Sequence, residues 1–476
     1  MPLHSLIHDM NESLLVNDIH SRLNSTRVMR VLAPSGLDEI VGLVRAATTA
    51  NAQISICGGR HAMGGQQFGA DTWLVDMHRY AAFQHFDSKR GLVTVGAGIQ
   101  WPELIAGCLA QQSAGGPAWS IRQKQTGADR LSLGGALSAN VHGRGLRLPP
   151  IVGDIEAFTL VDASGDARRC TRTENSDLFR LAIGGYGLFG IIADVTLRLM
   201  PRAKIERRVE VLTLDQLIRV PEERDTNNWL FGDFQYSIDE RSPDFLHRGV
   251  FSAYHRIADD ASMPIEHKQL RDEDWERLMF LAHTDRARAF QEYADYYLST
   301  DGQRYWSDTH QLSAYLDNYH VALDRRLGAS CQGSEMITEI YVPRVAIAAF
   351  MDKAAEQLRD GRNLVIYGTI RLVERDVESF LAWAREPWAC IIFNLHVEHT
   401  PAGLAKAQAA FRGLIDLAIV FGGSYYLTYH RWATRAQVEA CHPRFREFLQ
   451  LKQAHDPTER FTSDWYRHHS VLFAGA

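Results

Sequence analysis

A single histidine, His61, lies between two pairs of glycines in the segment 54–67. The glycine pairs occupy positions 58–59 and 64–65. Glycine permits positive φ and leaves the backbone bare, so consecutive N–H groups can curl around an anion. A histidine in such a loop lies beside whatever the loop binds. The pattern favours a ligand-binding loop, and the alternative is a glycine-rich turn with a structural histidine.

A second stretch rich in small residues covers positions 125–145. Its hydroxyl side chains and the pair Gly134-Gly135 would let the backbone approach a flat ring and a diphosphate closely. The stretch also contains a histidine–glycine pair, His142-Gly143. We therefore expect it to contact the same ligand as the first loop.

Three glycines further along, Gly185, Gly187 and Gly190, match the dinucleotide-binding pattern GxGxxG. That pattern requires a strand before the glycines and a helix after them. Here residues 176–183 have a helical pattern and residues 191–199 have the pattern of a strand. The order is reversed, so the sequence argues against a nicotinamide site.

Four strands with strict alternation, at about 231–238, 336–342, 364–372 and 390–398, would carry polar side chains on one face. If they form one antiparallel sheet, its apolar face packs on helices. The side chains of the other face suit hydrogen bonds to a polar ligand better than they suit solvent, although an ordinary solvated face is the alternative. These side chains are Asp233, Gln235, Glu339, Tyr341, Tyr367, Thr369, Arg371, Asn394, His396 and Glu398.

The elements that position these residues alternate between helix and strand. Ser35 is predicted to cap a helix with apolar residues at i, i+3, i+4 and i+7. The remaining expectations are strands at 53–57, 72–77 and 92–97, a helix from Trp101, a hairpin of 155–161 with 167–171, and a helical region near 259–298. There is no regular βαβ repeat, which predicts an α+β fold.

The composition of the chain limits which classes of function are possible. The 476 residues suit two domains, and a net charge of −6 does not indicate a basic surface that would bind nucleic acid. No run reaches the length of a membrane span, and the first residues lack the pattern of a secretory signal, so a cytoplasmic location is expected. The six cysteines have no zinc spacing and read as reduced thiols. We expect no metal site, since His396 and His399 would face opposite sides of a strand, and no serine-hydrolase motif occurs.

Together with the C-terminal aromatic segment 425–432, Asp456-Pro457 and residues 461–464, these motifs resemble the vanillyl-alcohol oxidase and p-cresol methylhydroxylase family of FAD enzymes. The resemblance is strong over about 1–203 and 422–476 and weak between them. It is nearest to single-histidine alditol and aldonolactone oxidases and to decaprenylphosphoryl ribose oxidase, which usually lacks the histidine at position 61.

The resemblance implies an FAD-binding domain at 1–203, a substrate domain at 204–421 built on an antiparallel sheet flanked by helices, and a segment 422–476 that returns to cover the flavin. It also implies a covalent bond from His61 to FAD. Because no cysteine occurs between 109 and 169, we expect that bond to be the only one. The residues expected to bind FAD are Gly58, Gly59, Arg60, His61, Ala62, Gly64, Gln66, Thr126, Gly127, Asp129, Ser132, Leu133, Gly134, Gly135, Ser138, Asn140, His142, Gly143, Gly190, Ile192 and Tyr429.

The implied chemistry is oxidation of a CH–OH group on a small sugar-like or polyol-like substrate, with hydride transfer to flavin N5 and proton transfer to a base. Candidate bases are His396, Tyr341, Tyr429 and His430, and Glu339 could polarise one of them. Arg371 could hold a substrate oxyanion or stabilise the reduced, anionic flavin. A structural role is the alternative for each. Expected partners are the substrate and an electron acceptor, with oxygen as one candidate, and the oligomeric state is left open. Two other functions stay open: oxidation of an amine or a ring closure in a natural product, and a flavin-binding protein without turnover.

Overall fold

The computed structural model describes residues 14–112, 118–313, 316, 318–360 and 364–474. Residues 1–13, for which the sequence predicts no secretory signal, lie outside this range. Among the helices in the described ranges, none combines the length and the apolar character that a membrane crossing requires.

The first two hundred residues form two main sheets with helices against them. The elements are β1 (Leu14–Val16), β2 (Thr26–Val28), β3 (Arg30–Leu32), α1 (Leu37–Thr49), β4 (Ile54–Cys57), β5 (Trp73–Asp76), β6 (Phe83–Asp87), β7 (Leu92–Gly96), α2 (Trp101–Ala110), β8 (Trp119–Ser120), α3 (Leu133–Ala139), β9 (Ile155–Val161), β10 (Ala167–Cys170), α4 (Ser176–Ala182), β11 (Ile191–Arg198) and β12 (Met200–Pro201). One sheet is antiparallel with the order β10-β9-β11-β7-β6, and the other is parallel with the order β3-β5-β4.

Most of the sequence-predicted elements occur here within one or two residues of their predicted bounds. Helix α1 buries Ile40 and Val44, in keeping with the helical spacing of its apolar residues. The prediction of Ser35 as its N-cap was wrong. Gly36 occupies that position, and the Ser35 hydroxyl bonds instead to the side chain of Glu39. The described residues before α1 thus start the helix without a side-chain cap.

The middle of the chain builds one large antiparallel sheet covered by helices. Its elements are β13 (Lys204–Thr213), α5 (Leu214–Glu223), β14 (Trp229–Tyr236), β15 (Arg248–Arg256), α6 (Asp272–Thr284), α7 (Arg286–Leu298), β16 (Arg304–Trp306), α8 (Tyr319–Leu327), β17 (Gly333–Pro343), α9 (Ile347–Asp360), β18 (Val365–Val373), β19 (Trp388–Glu398) and α10 (Pro401–Val420). The four strands predicted from alternation lie side by side in the order β14-β18-β19-β17. The expectation of a single antiparallel sheet is therefore confirmed.

The C-terminal segment contacts both halves of the molecule. It contains β20 (Ser424–Tyr425), α11 (Arg435–Cys441), α12 (Phe445–His455) and α13 (Asp464–Phe473). Strand β20 adds to the large sheet beside β17, and Phe461 then forms a parallel bridge to Ile54 in β4. The mixture of mainly antiparallel sheets with separate helices confirms the α+β class. The domain limits at 203 and 421 stay predictions.

Candidate active site

A cavity lies where the two glycine-rich stretches, the turn at 186–192, strand β17 and the C-terminal segment meet. Two hydrogen bonds tie the first stretch to the C-terminal segment: the backbone N–H of Met63 donates to the carbonyl of Thr428, and the side-chain amide of Gln66 donates to the carbonyl of Leu427. Fifteen residues predicted to bind FAD line it: Gly58, Gly59, Arg60, His61, Ala62, Gln66, Thr126, Gly127, Ser132, Gly134, Gly135, Ser138, Gly190, Ile192 and Tyr429.

The cavity wall is bare backbone where the glycines stand. A Cβ on Gly59 would come within 2.2 Å of the carbonyl oxygen of Arg130, and one on Gly58 within 1.9 Å of the Ser132 hydroxyl oxygen. A Cβ on Gly134 would come within 2.8 Å of the Cβ of Ala97. Only glycine fits at these positions, and the exposed peptide groups give a cradle for a flat, phosphorylated ligand. These residues fit FAD.

The turn with the GxGxxG spacing follows helix α4 and precedes strand β11, in the order predicted from sequence. Gly187 and Gly190 adopt φ values of +74° and +147°, which require glycine. Both line the cavity, as does Tyr186, which the sequence analysis missed. The reversed context means that this turn closes the cavity and does not form a nicotinamide-binding unit.

His61 lies in the cavity wall and is paired with another histidine. Its Nδ1 is 2.8 Å from Nε2 of His20, and both rings line the cavity. Burial, reinforced by His20, holds the pKa of His61 well below its usual value. The imidazole of His61 is therefore neutral and nucleophilic. Sequence reasoning missed His20 because it belongs to an irregular segment near the start of the described chain.

Cys57 also lines the cavity and was not anticipated. Its thiol is buried, and burial together with the negative charge of Asp76 raises its pKa to about 12. A thiol, unlike a thiolate, is a poor nucleophile. Among the residues described, this is the one cysteine in the cavity wall.

Five residues predicted to bind FAD serve the surrounding structure and do not line the cavity. Asn140 is the left-handed C-cap of α3 and its amide donates to Asp376. Asp129 pairs with the buried Lys124 at 2.5 Å. The last three are Gly64, whose N–H donates to the Gln66 side chain, Leu133, which is in the core, and Gly143, whose N–H donates to the Gln123 side chain. Adjacency in a glycine-rich sequence does not tell which residues face the ligand.

Glu339 contacts four polar side chains. It lies on the face of the large sheet that was predicted from the sequence to be polar. The Tyr429 hydroxyl donates to Oε1 at 2.6 Å, and the Tyr341 hydroxyl donates to Oε2 at 2.9 Å. Nε2 of His142 lies 3.0 Å from Oε2, and the Cys390 thiol lies 3.8 Å from it. His142, expected beside the cofactor, thus belongs to this cluster. The face is buried and not solvated, since Glu339 and Tyr341 have no exposed surface.

The side chains around Glu339 keep its carboxylate ionised although it is buried away from water. Burial raises the pKa of Glu339, but the charge of His142 and hydrogen bonds from His142 and Tyr429 outweigh it, so the pKa is lowered overall. Burial and the charge of Glu339 raise the pKa of Tyr429 well above its usual value. Tyr429 is therefore a neutral phenol that lies between the cavity and an ionised carboxylate.

Arg371 adds a positive charge to the same face. Arg371 on β18 is paired with Cys390 on β19, and Tyr341 on β17 is paired with the same cysteine from the other side. The side chain of Arg371 is buried, and neither Nε nor Nη1 has a hydrogen-bond partner among the described residues. A buried guanidinium with open N–H groups is suited to an anionic or polar oxygen.

Two candidate bases lie elsewhere. His430 is on the opposite face: its ring stacks on Phe411, it contacts the Thr338 hydroxyl, and burial lowers its pKa to about 3. His396 is on the polar face but beside Glu335, four residues from Glu339 along β17. The alternation of the strands predicted the face correctly, but it did not show which positions along the face share a site.

Residues 29–171 match the family of the FAD binding domain. The chain therefore contains an FAD-binding domain of the p-cresol methylhydroxylase type, which confirms the resemblance found from sequence.

Individual relatives each match a part of the chain. An uncharacterized oxidoreductase from the fasciation locus of Rhodococcoides fascians is 29% identical over 36% of this chain and 37% of its own length. D-arabinono-1,4-lactone oxidase of Saccharomyces cerevisiae is 27% identical over 41% of this chain and 36% of its own length. Cytokinin dehydrogenase 7 of Oryza sativa is 27% identical over 44% of this chain and 40% of its own length. The matches span less than half the length of each of these relatives.

Proposed function

We propose that this protein is an FAD-dependent oxidoreductase that oxidises a CH–OH group of a small polar, sugar-like or polyol-like substrate. The observation that carries the proposal is the buried Tyr429–Glu339 pair at the wall of the FAD cavity. Bound FAD would supply the hydride acceptor for the C–H bond. The chain must then take the proton from the O–H group, and this pair is built for proton transfer.

The proton path has two steps. The substrate hydroxyl gives its proton to Oη of Tyr429 while Tyr429 gives its own proton to Oε1 of Glu339. The phenol stays neutral throughout, which its raised pKa favours, and the charge moves from the carboxylate to the substrate oxygen. His142 and Tyr341 hold the other carboxylate oxygen and fix its orientation.

Arg371 is proposed to hold the oxygen on which the negative charge develops. Its positive charge already helps to lower the pKa of Glu339 from across the face. The two N–H positions without partners can donate to a substrate hydroxyl or alkoxide. A polyhydroxylated substrate satisfies such donors better than an apolar one.

We further propose that FAD is bound covalently through His61 alone. A neutral imidazole in the cavity wall supports this, and Cys57, the cysteine among the described lining residues, stays a thiol. We also propose that an electron acceptor reoxidises the flavin, with oxygen as one candidate, and that the protein is located in the cytoplasm.

Anaerobic mixing of the purified holoprotein with aldonolactones, polyols and amines tests the function directly. Loss of the oxidised-flavin absorbance with a lactone, a sugar or a polyol, and a loss slowed by about 10²–10⁴-fold in Glu339→Gln, are expected. Reduction by amines alone would favour C–N oxidation. Reduction by dithionite but by no organic substrate would contradict turnover.

A further inference from the structure

A second cluster on the polar face contains three histidines and one carboxylate. Glu335 on β17 is the centre, and its side chain is 3% exposed. His283 comes from the last turn of α6, His320 from α8 and His396 from β19. The proposed oxidation uses none of the four.

Three of the polar atoms form a nearly equilateral triangle. Nε2 of His283 is 3.3 Å from Oε1 of Glu335, and Nδ1 of His396 is 3.2 Å from the same oxygen. The two ring nitrogens are 3.4 Å apart. Ligands of a tetrahedral zinc ion at bond lengths of 2.0–2.1 Å are separated by about 3.3–3.4 Å. The triangle therefore has the dimensions of one face of a metal-binding tetrahedron.

The tautomer of His283 strengthens this argument. Its Nδ1 lies 2.9 Å from the carbonyl oxygen of Met279, a contact that requires the proton on Nδ1. In the neutral ring the lone pair of Nε2 then points at a carboxylate oxygen, and a cation bound between these two atoms would relieve their repulsion. A histidine that donates its other N–H to a backbone carbonyl is the usual arrangement of a metal ligand.

The carboxylate itself is held ready to bind a cation. Nδ1 of His320 lies 2.9 Å from the other oxygen, Oε2, and so orients the carboxylate without joining the triangle. His320 has the position of an outer partner.

We propose that His283, Glu335 and His396 bind a divalent transition-metal ion of the zinc class. Three protein ligands leave one coordination position open for water or an anionic oxygen. The site could not be predicted from the sequence, because its members are scattered over more than a hundred residues. On this proposal His396 is a metal ligand and not a catalytic base. The site stands independently of the oxidation proposed above.

Equilibrium dialysis of the chelator-treated holoprotein against zinc, with metal analysis by mass spectrometry, tests the proposal. The expected result is one zinc ion per chain, with imidazole and carboxylate ligands seen by X-ray absorption. His283→Gln, His396→Gln and Glu335→Gln should abolish stoichiometric binding, and His320→Gln should weaken it by about 10–100-fold. His399→Gln is the matched control, because His399 lies next to the cluster but bonds to the Ser334 hydroxyl.

Circular dichroism and flavin content show whether each variant is folded. Failure of the wild-type protein to take up zinc, cobalt or manganese would overturn the proposal and leave the cluster as a hydrogen-bonded carboxylate with a shared proton. Equal zinc binding by the wild type and all three ligand variants would also overturn it, since the metal would then lie elsewhere.

Discussion

Tyr429, from the C-terminal segment, donates a 2.6 Å hydrogen bond to Glu339, which lies on strand β17 of the large sheet. The two residues are 90 positions apart in sequence. Only the tyrosine lines the cavity, and the carboxylate is wholly buried behind it. The contact between the C-terminal segment and the large sheet thus connects the cavity to a buried base.

Replacing Tyr429 with phenylalanine should retain FAD and slow substrate-driven flavin reduction by about 10²–10⁴-fold, because the proton path loses its first step. Stopped-flow absorbance measures the rate. Tyr466→Phe is the matched control, since it removes a hydroxyl bonded to another carboxylate, Glu459, outside the cavity. An unchanged rate in Tyr429→Phe would remove this residue from the proton path.

The pH dependence of flavin reduction should identify Glu339 as the final proton acceptor. A base works when deprotonated, and the pKa of Glu339 lies below its ordinary value of 4.5. The rate should therefore be constant from neutral pH down to about 4.5 and fall only below it. A histidine base would instead lose rate near pH 6.5. Circular dichroism at each pH checks that the protein stays folded.

Acid precipitation should leave the flavin attached to the wild-type protein, with a mass increase of one FAD. His61→Ala should release the flavin on denaturation, because the only proposed attachment is gone. Mass spectrometry and the colour of the supernatant measure this. His85→Ala, at an exposed position on β6, is the control. Complete release of flavin from the wild type would make His61 a neighbour of the ring and not its anchor.

Gly59→Ala should lower the FAD content of the purified protein. The added methyl group would lie 2.2 Å from the backbone carbonyl oxygen of Arg130 and 2.9 Å from Cδ2 of His61, so the loop must move. Gly42→Ala, within helix α1, where the added carbon meets nothing within 4 Å beyond its own helix backbone and chain neighbours, should keep full FAD content and slightly raise stability. The ratio of flavin to protein absorbance gives the comparison. Full occupancy in Gly59→Ala would show that the loop does not form the cradle.

Asp456→Asn should lower the free energy of unfolding by about 3–5 kcal/mol, because it leaves the ammonium group of Lys452 buried without its charge partner. Both side chains are almost wholly buried, with 2.5 Å between Nζ and Oδ2. Asp456 also accepts the N–H of Phe461, which pairs with β4. Denaturant unfolding measures the change, with the exposed Glu447→Gln as control. A loss under about 1 kcal/mol would mean that the pair is solvated.

The local pattern of the chain determined a good part of this protein. Glycines at 58, 59 and 134 mark backbone that no side chain may cover, and the structure places all three in one cavity wall. Strict alternation in four strands identified which side chains share a face, because the period of a strand is two. The reversed order of helix and strand around the glycines at 185–190 excluded a nicotinamide-binding unit for a similar local reason.

Tertiary structure decided which of those residues meet. The register of β17 with β19 sets Glu339 beside Ile392 and Glu335 beside His396, so one polar face carries two separate clusters. His20 reaches His61, and Tyr429 reaches Glu339, through contacts that no local pattern encodes. Four residues of the same glycine-rich stretch do not line the cavity: Leu133 is in the core, Asn140 caps α3, Asp129 pairs with Lys124, and Gly143 donates to the Gln123 side chain. Side-chain periodicity fixes a direction within each element, but only the packing of elements fixes the distances between them.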